Sequence, residues 1–137
     1  MKVPVEVLLH QKTKTLELVY EDGTQSVLPL EYLRVYSPSA EVQGHTPDEA
    51  VLQVGCREVG LKGIEPVGQY ALRLIFDDGH DSGLYSWDYF VKLANEYDVL
   101  WQDYLDRLEK VGASRDPNAP ENKPFLEKMK PQKHCGH

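Results

Sequence analysis

Leu72-Arg73-Leu74-Ile75-Phe76-Asp77-Asp78-Gly79-His80-Asp81-Ser82-Gly83-Leu84-Tyr85-Ser86-Trp87-Asp88-Tyr89 decides the fold. Leu72, Leu74 and Phe76 share one face of a strand, and Ala71 and Ile75 the other, so both faces carry apolar side chains and residues 69–76 are expected to form a central strand. Asp78-Gly79 supplies the positive φ that a tight hairpin needs, and residues 81–85 are expected to return. Ser86 then offers a hydroxyl to cap a helix, with Asp88 in its first turn.

An earlier stretch has the same form. Leu16-Glu17-Leu18-Val19-Tyr20-Glu21-Asp22-Gly23 matches Leu72 through Gly79, Ser26 matches Ser82, Leu28 matches Leu84, and Glu31-Tyr32-Leu33 echoes Asp88-Tyr89-Phe90. Each copy reads strand, Asp-Gly turn, strand, helix start. Residues 6–11, 15–21 and 25–28 are expected as strands, with a short helix over residues 30–35 begun at Pro29 and stopped before Pro38. Residues 37–50 read as a loop and residues 51–54 as a short strand. Residues 59–67 read as a bulged or edge strand, because Gly60, Gly63 and Pro66 interrupt them.

After Ser86 the stripe Phe90, Leu93, Ala94, Tyr97, Leu100, Trp101, Tyr104, Leu105 and Leu108 advances in threes and fours, which is one face of a long helix. Asp98 is placed to re-cap it, giving a kink, and Gly112 to end it. The expected class is α+β: antiparallel hairpins in a small twisted sheet, a short helix after the first hairpin and a long or kinked C-terminal helix. One module over residues 1–112 is expected. Residues 113–137, rich in Pro, Lys and Asn, read as a disordered tail.

The composition narrows the function. The 137 residues suffice for one domain with its own core, and the net charge of −7 repels phosphate backbones, so nucleic-acid binding is not expected. No apolar run approaches the ~20 residues of a membrane helix and no signal sequence opens the chain, so a cytoplasmic location is expected. Cys56 and Cys135 are too few and too far apart for a disulfide framework. No phosphate loop, dinucleotide fingerprint, zinc-protease helix motif or nucleophile elbow occurs. Asp78, His80, Asp81 and Ser82 lie too close in sequence to orient one another as a triad. A non-catalytic binding or accessory role with an unidentified protein partner is therefore expected.

Individual residues leave alternatives. His80 reads as a metal or ligand contact, or as an exposed turn histidine. His45 carries the same ambiguity. His134, Cys135 and His137 are close-spaced zinc or copper donors, or an incidental terminus. Tyr85 and Trp87 read as partner-binding aromatics, or as rings closing the core at the sheet–helix junction.

The two hairpins and the Tyr85-Ser86-Trp87-Asp88-Tyr89 exit resemble the γ-butyrobetaine hydroxylase-like N-terminal domain, also called domain of unknown function 971, over roughly residues 5–110. In eukaryotic hydroxylases of this resemblance the domain precedes an iron- and 2-oxoglutarate-dependent catalytic domain with a His-x-Asp…His triad, which is not expected here, so hydroxylase activity is not implied. The family also occurs as stand-alone bacterial proteins and fused to P-loop ATPases of the iron–sulfur carrier type. The resemblance implies an accessory role near iron–sulfur proteins, or a detached subunit of an oxygenase. The hydroxylase version holds zinc with three cysteines and a histidine. These positions fall on Ser37, Ser39, Val42 and His80, so the site is expected to be lost, no cofactor is expected, and hydrogen bonds or packing must replace its cross-link. The alternative is a zinc or iron site using His80 with other donors such as Cys56 or His45.

Overall fold

The computed structural model describes residues 2–44 and 50–129. Its strands are β1 (Pro4–His10), β2 (Thr15–Tyr20), β3 (Gln25–Pro29), β4 (Leu61–Val67), β5 (Ala71–Phe76) and β6 (Leu84–Ser86). Its helices are α1 (Leu30–Val35), α2 (Ala40–Gln43), α3 (Trp87–Asn95), α4 (Tyr97–Val111) and α5 (Lys123–Met129), with a 3₁₀ turn at Pro120–Asn122. The class is α+β. The strands form two antiparallel three-stranded sheets, β1-β2-β3 and β4-β5-β6, where one small sheet was the expectation. Each repeat copy recruits the strand before it and builds its own sheet.

The alternation that marks the repeat fixes the core. Leu16, Leu18 and Tyr20 of β2 and Leu72, Leu74 and Phe76 of β5 are all buried in one shared cluster with Leu30, Tyr32, Leu33, Tyr85, Phe90 and Leu93. Both strands are central in their sheets, so both edges of each are hydrogen-bonded to a neighbour. The Asp-Gly turns form as expected, with Gly23 at φ 89° and Gly79 at φ 95°. β4 is an edge strand with a register shift between Leu61 and Gly63, where Pro66 costs no interior ladder bond.

The copies diverge after their turns. Leu16 faces Leu28 in the first sheet, whereas Leu72 faces Tyr85 in the second. One extra residue between His80 and β6 shifts the register, and a one-residue shift turns every side chain over. Leu84, matched to buried Leu28 from sequence, is therefore exposed, and Tyr85 is buried.

Each sheet feeds straight into a helix. Pro29 is the N-cap of α1, one position before the first turn where it was expected. The Ser86 hydroxyl accepts from the Tyr89 amide and caps α3. The stripe from Phe90 to Leu108 breaks at Glu96, whose φ of −106° and ψ of 16° separate α3 from α4, two residues before the Asp98 re-cap inferred from sequence. Gly112, at φ 73°, ends α4 in the left-handed conformation. Residues 51–54 form no strand. Val51 donates to Val42 O at 2.7 Å, and Val54 packs with Val35, Cys56, Tyr104 and Leu108 in a second cluster.

The chain after Gly112 differs from the tail the composition suggests, as far as residue 129. It returns across the second cluster, where Phe125 and Met129 pack. Asn122 is fully buried and fastens the return. Its Oδ1 accepts from the Ser114 amide at 2.7 Å, and its Nδ2 donates to Ser114 O and Asp116 O at 2.9 Å each. Gly55 N–H and Arg57 N–H donate to Ser114 O and Arg115 O. A few well-placed polar side chains order a segment that is too apolar-poor to order itself. The His134, Cys135 and His137 donors, like His45, lie outside the described residues.

Leu74 tests this core most simply, because its side chain is fully buried at the centre of β5. Leu74→Ala should lower the unfolding free energy by about 2–5 kcal/mol in urea denaturation. A change of under about 0.5 kcal/mol would place the strand elsewhere.

Candidate functional site

The sequence candidates with chemistry converge at one corner, where the loop after α1 meets the second hairpin turn. Short range in sequence brings His80, Asp78 and Ser82 together, and the α1–α2 link brings Ser37, Ser39 and Glu41 to them. His80 is 6% exposed. Its Nε2 is hydrogen-bonded to Ser37 Oγ at 2.8 Å, and its Nδ1 lies 3.5 Å from Glu41 Oε1. Its backbone N–H donates to Asp78 Oδ1 at 3.1 Å. The exposed turn histidine allowed by the sequence is thus corrected: the residue is a buried hub, and it does not carry a positive φ.

Ser39 and Ser82 join hydroxyls at 2.6 Å, and Ser82 donates to Glu41 Oε1 at 2.9 Å. Ser37 Oγ accepts from the Ser39 amide and Ser39 Oγ from the Glu41 amide, both at 3.2 Å. Gly83 makes the contact close: a Cβ there would stand 2.5 Å from Ser37 Oγ. Behind this row, Arg34 donates through Nε to Asp78 Oδ2 at 2.9 Å and through Nη1 to Gln53 Oε1 at 2.7 Å. The corner borders a small cavity of about 130 Å³ lined by Arg34, Glu41, Asp78, Gly79, His80 and Asp81, with Met129 at its edge.

The corner also holds the positions that the resemblance assigns to zinc. The donors do not fit that ion. Two are hydroxyls already bound to protein partners, one is the buried aliphatic side chain of Val42, and His80 stands as the sole strong ligand. A hydrogen-bonded clasp now ties the α1–α2 link to the second hairpin. Cys56 lies apart, in the second cluster. Burial pushes its thiol up to about 12, and the thiol donates to Val54 O at 3.4 Å, so it offers no thiolate at neutral pH. Among the described residues no group of three or more His, Cys, Asp or Glu is arranged to hold a metal.

The partner-binding aromatics are core residues instead. Tyr85 is fully buried, stacks on Phe90 at 5.5 Å and donates its hydroxyl to Leu33 O at 2.5 Å. Trp87 is buried too, and its indole N–H donates to Gln69 O at 2.9 Å. His80, Tyr85 and Trp87 are thus all buried in the fold of the single chain, with their polar atoms bonded inside it. Sequence reasoning missed Arg34 and Glu31, two charged residues buried on α1. Their only signal is that a helix of Leu30, Tyr32, Leu33 and Val35 is apolar nearly all round. Among the described residues no helix is long and apolar enough to cross a membrane.

Burial, and then the Arg34 charge, lower the pKa of His80 below its usual value near 6.5, against the opposing pull of Glu41, Asp78 and Asp81. A histidine with a depressed folded pKa favours the fold above its unfolded pKa, and that contribution is lost as pH falls below about 6.5. Urea midpoints measured at pH 7.5 and at pH 5 should therefore fall further for the wild type than for His80→Gln, which cannot titrate. Equal falls would remove His80 from the acid response.

The family model described as gamma-butyrobetaine hydroxylase-like, N-terminal, matches residues 7–91. No curated protein matches the chain. One NMR solution structure of a protein is 56% identical, with a TM-score of 0.74, covering 87% of this chain and 94% of that one. A second NMR structure is 45% identical with a TM-score of 0.74, covering 85% and 87%. A crystal structure of a protein of unknown function, in the family of domain of unknown function 971 from Acidithiobacillus ferrooxidans, is 31% identical with a TM-score of 0.52, covering 66% of this chain and 91% of that one.

Proposed function

This chain belongs to the γ-butyrobetaine hydroxylase-like N-terminal family, and from that membership we propose that it is a non-catalytic binding or accessory module acting on a protein partner. One observation carries the reading. The corner richest in reactive side chains uses them inside the fold: His80 on Ser37, Ser39 on Ser82, Ser82 on Glu41, and Asp78 on Arg34. A catalytic group needs a free acceptor or donor aimed at a substrate position, and these groups are aimed at one another. The described free thiol is buried with its ionisation suppressed. What is left to meet another molecule is the surface.

The contexts that the resemblance implies make an iron–sulfur or oxygenase protein the partner class. The interaction works by contact, without chemistry on the partner.

Native mass spectrometry of the untagged chain, purified from its own cells, tests this. The expected result is a heteromeric complex in which this chain has its bare polypeptide mass. One equivalent of zinc or iron on the isolated chain favours the metal-binding alternative. Substrate turnover by the isolated chain, with no complex recovered, would sink the proposal.

A further inference from the structure

We propose that the free edge of β3 is the contact surface, and that it accepts an extended, basic segment of a partner protein as an added strand. The proposal rests on the binding-module reading and names the surface that would serve it. A groove of about 470 Å³ is lined by every residue of Gln25–Pro29 on one side and by Ala94, Asn95, Tyr97 and Asp98 on the other. Successive side chains of a strand point to opposite faces, so a groove touched by all five residues runs along the strand's edge, not over either face. β3 is the last strand of its sheet.

The hydrogen-bond phase shows which backbone groups face the groove. Tyr20 N–H donates to Thr24 O at 2.9 Å, and Leu30 N–H to Lys14 O at 2.9 Å. Leu18–Ser26 and Leu16–Leu28 lie between these bonds in the same register, so Ser26 and Leu28 point their peptide groups at β2. Antiparallel pairing alternates. The N–H and C=O groups of Gln25 and Val27 therefore turn outward into the groove, an unpaired template for another strand. Pro29 has no N–H and ends the template, so the added segment is short.

Side chains give the segment its chemistry. Val27 is 54% exposed, so an apolar β-branched residue beside it gains a cross-strand contact. Asp98 lines the opposite wall and Glu96 stands at the same helix junction. Both are exposed, and neither forms an ion pair among the described residues, on a chain of net charge −7. Lysine or arginine in the incoming strand answers them.

The test titrates the ¹⁵N-labelled full chain with a capped peptide of alternating valine and lysine, and with its valine–glutamate counterpart. The lysine peptide should shift the amides of residues 25–28 and 94–98 saturably, and bind roughly tenfold or more tightly than the glutamate peptide. Val27→Pro removes an outward N–H without taking a bond from the ladder, and should weaken the lysine peptide roughly tenfold. Asp98→Lys leaves the strand untouched and should erase the preference between peptides, which decides the matter even where Val27→Pro does not fold. No shifts at millimolar peptide, shifts centred elsewhere, or unchanged binding by both variants overturn the edge assignment. So do concentration-dependent shifts at the same amides without peptide, since a second copy then occupies the edge. A native complex that survives Val27→Pro and Asp98→Lys removes the edge but leaves the binding-module reading standing. Absence of any complex, with the peptide still seated on β3, removes the reading and keeps the edge.

Discussion

A six-residue helix with two charges and no face left for water constrains the rest of the molecule. Every residue of α1 is buried, including Glu31 at 7% exposure and Arg34 at 5%. An unpaired charge at such a depth costs several kcal/mol, so the fold must deliver partners. Arg115 comes from beyond α4 and grips Glu31 with two hydrogen bonds of 2.6 and 2.7 Å while lying over the Trp101 ring. Asp78 comes from the second hairpin turn and Gln53 from the link between the sheets, and both meet Arg34. The carbonyls at the end of α1, which lack helical partners, receive Tyr85 at Leu33 and Tyr89 at Tyr36. Each distant segment is thus placed by a polar need that α1 creates.

The two repeat copies divide the work. Their equivalent strands, β2 and β5, supply matching halves of one core. The copies then part at a single inserted residue after the second turn. That insertion moves Tyr85 into the core and presses residues 80–83 against the loop after α1, where Ser37, Ser39, Glu41, His80 and Ser82 form the clasp. This corner cross-links the copies by hydrogen bonds. These bonds engage the polar groups of the corner. The first copy, without the insertion, keeps a straight third strand whose outer edge faces an open groove. The structural asymmetry therefore separates a closed end from an open one.

Much of this was legible in the sequence because it depends on local chemistry. Period-two leucines gave β2 and β5, the Asp-Gly pairs gave both turns, Ser86 gave a cap, and Gly112 gave a stop. The α+β class and the family followed from these. What was not legible depends on contacts distant in the chain. Nothing before Leu84 announces the extra residue that flips it outward, since one insertion leaves composition and pattern intact. The Trp87 ring could face either way until the Gln69 carbonyl stood beside its N–H. Residues 113–129 have the composition of a tail, and contacts distant in the chain hold them down: Arg115 on Glu31, Asn122 on Ser114, the Gly55 and Arg57 amides on Ser114 O and Arg115 O, and Phe125 and Met129 on the second cluster. His80 could be recognised as unusual for a turn, but its burial required the loop that Ser37 brings from the other copy.

The central claim is that paired buried charges on α1 hold the distant segments in place, and a double-mutant cycle on Glu31 and Arg115 tests it most directly. Glu31→Gln, Arg115→Met and the double variant would be compared with wild type by urea denaturation. The account predicts a coupling energy of about 1–3 kcal/mol, with each single variant costing more than its share of the double. Losses that add to within about 0.3–0.5 kcal/mol would contradict it, and would leave the C-terminal segment to be placed by its other contacts, the Asn122 and backbone hydrogen bonds and the apolar packing of Phe125 and Met129.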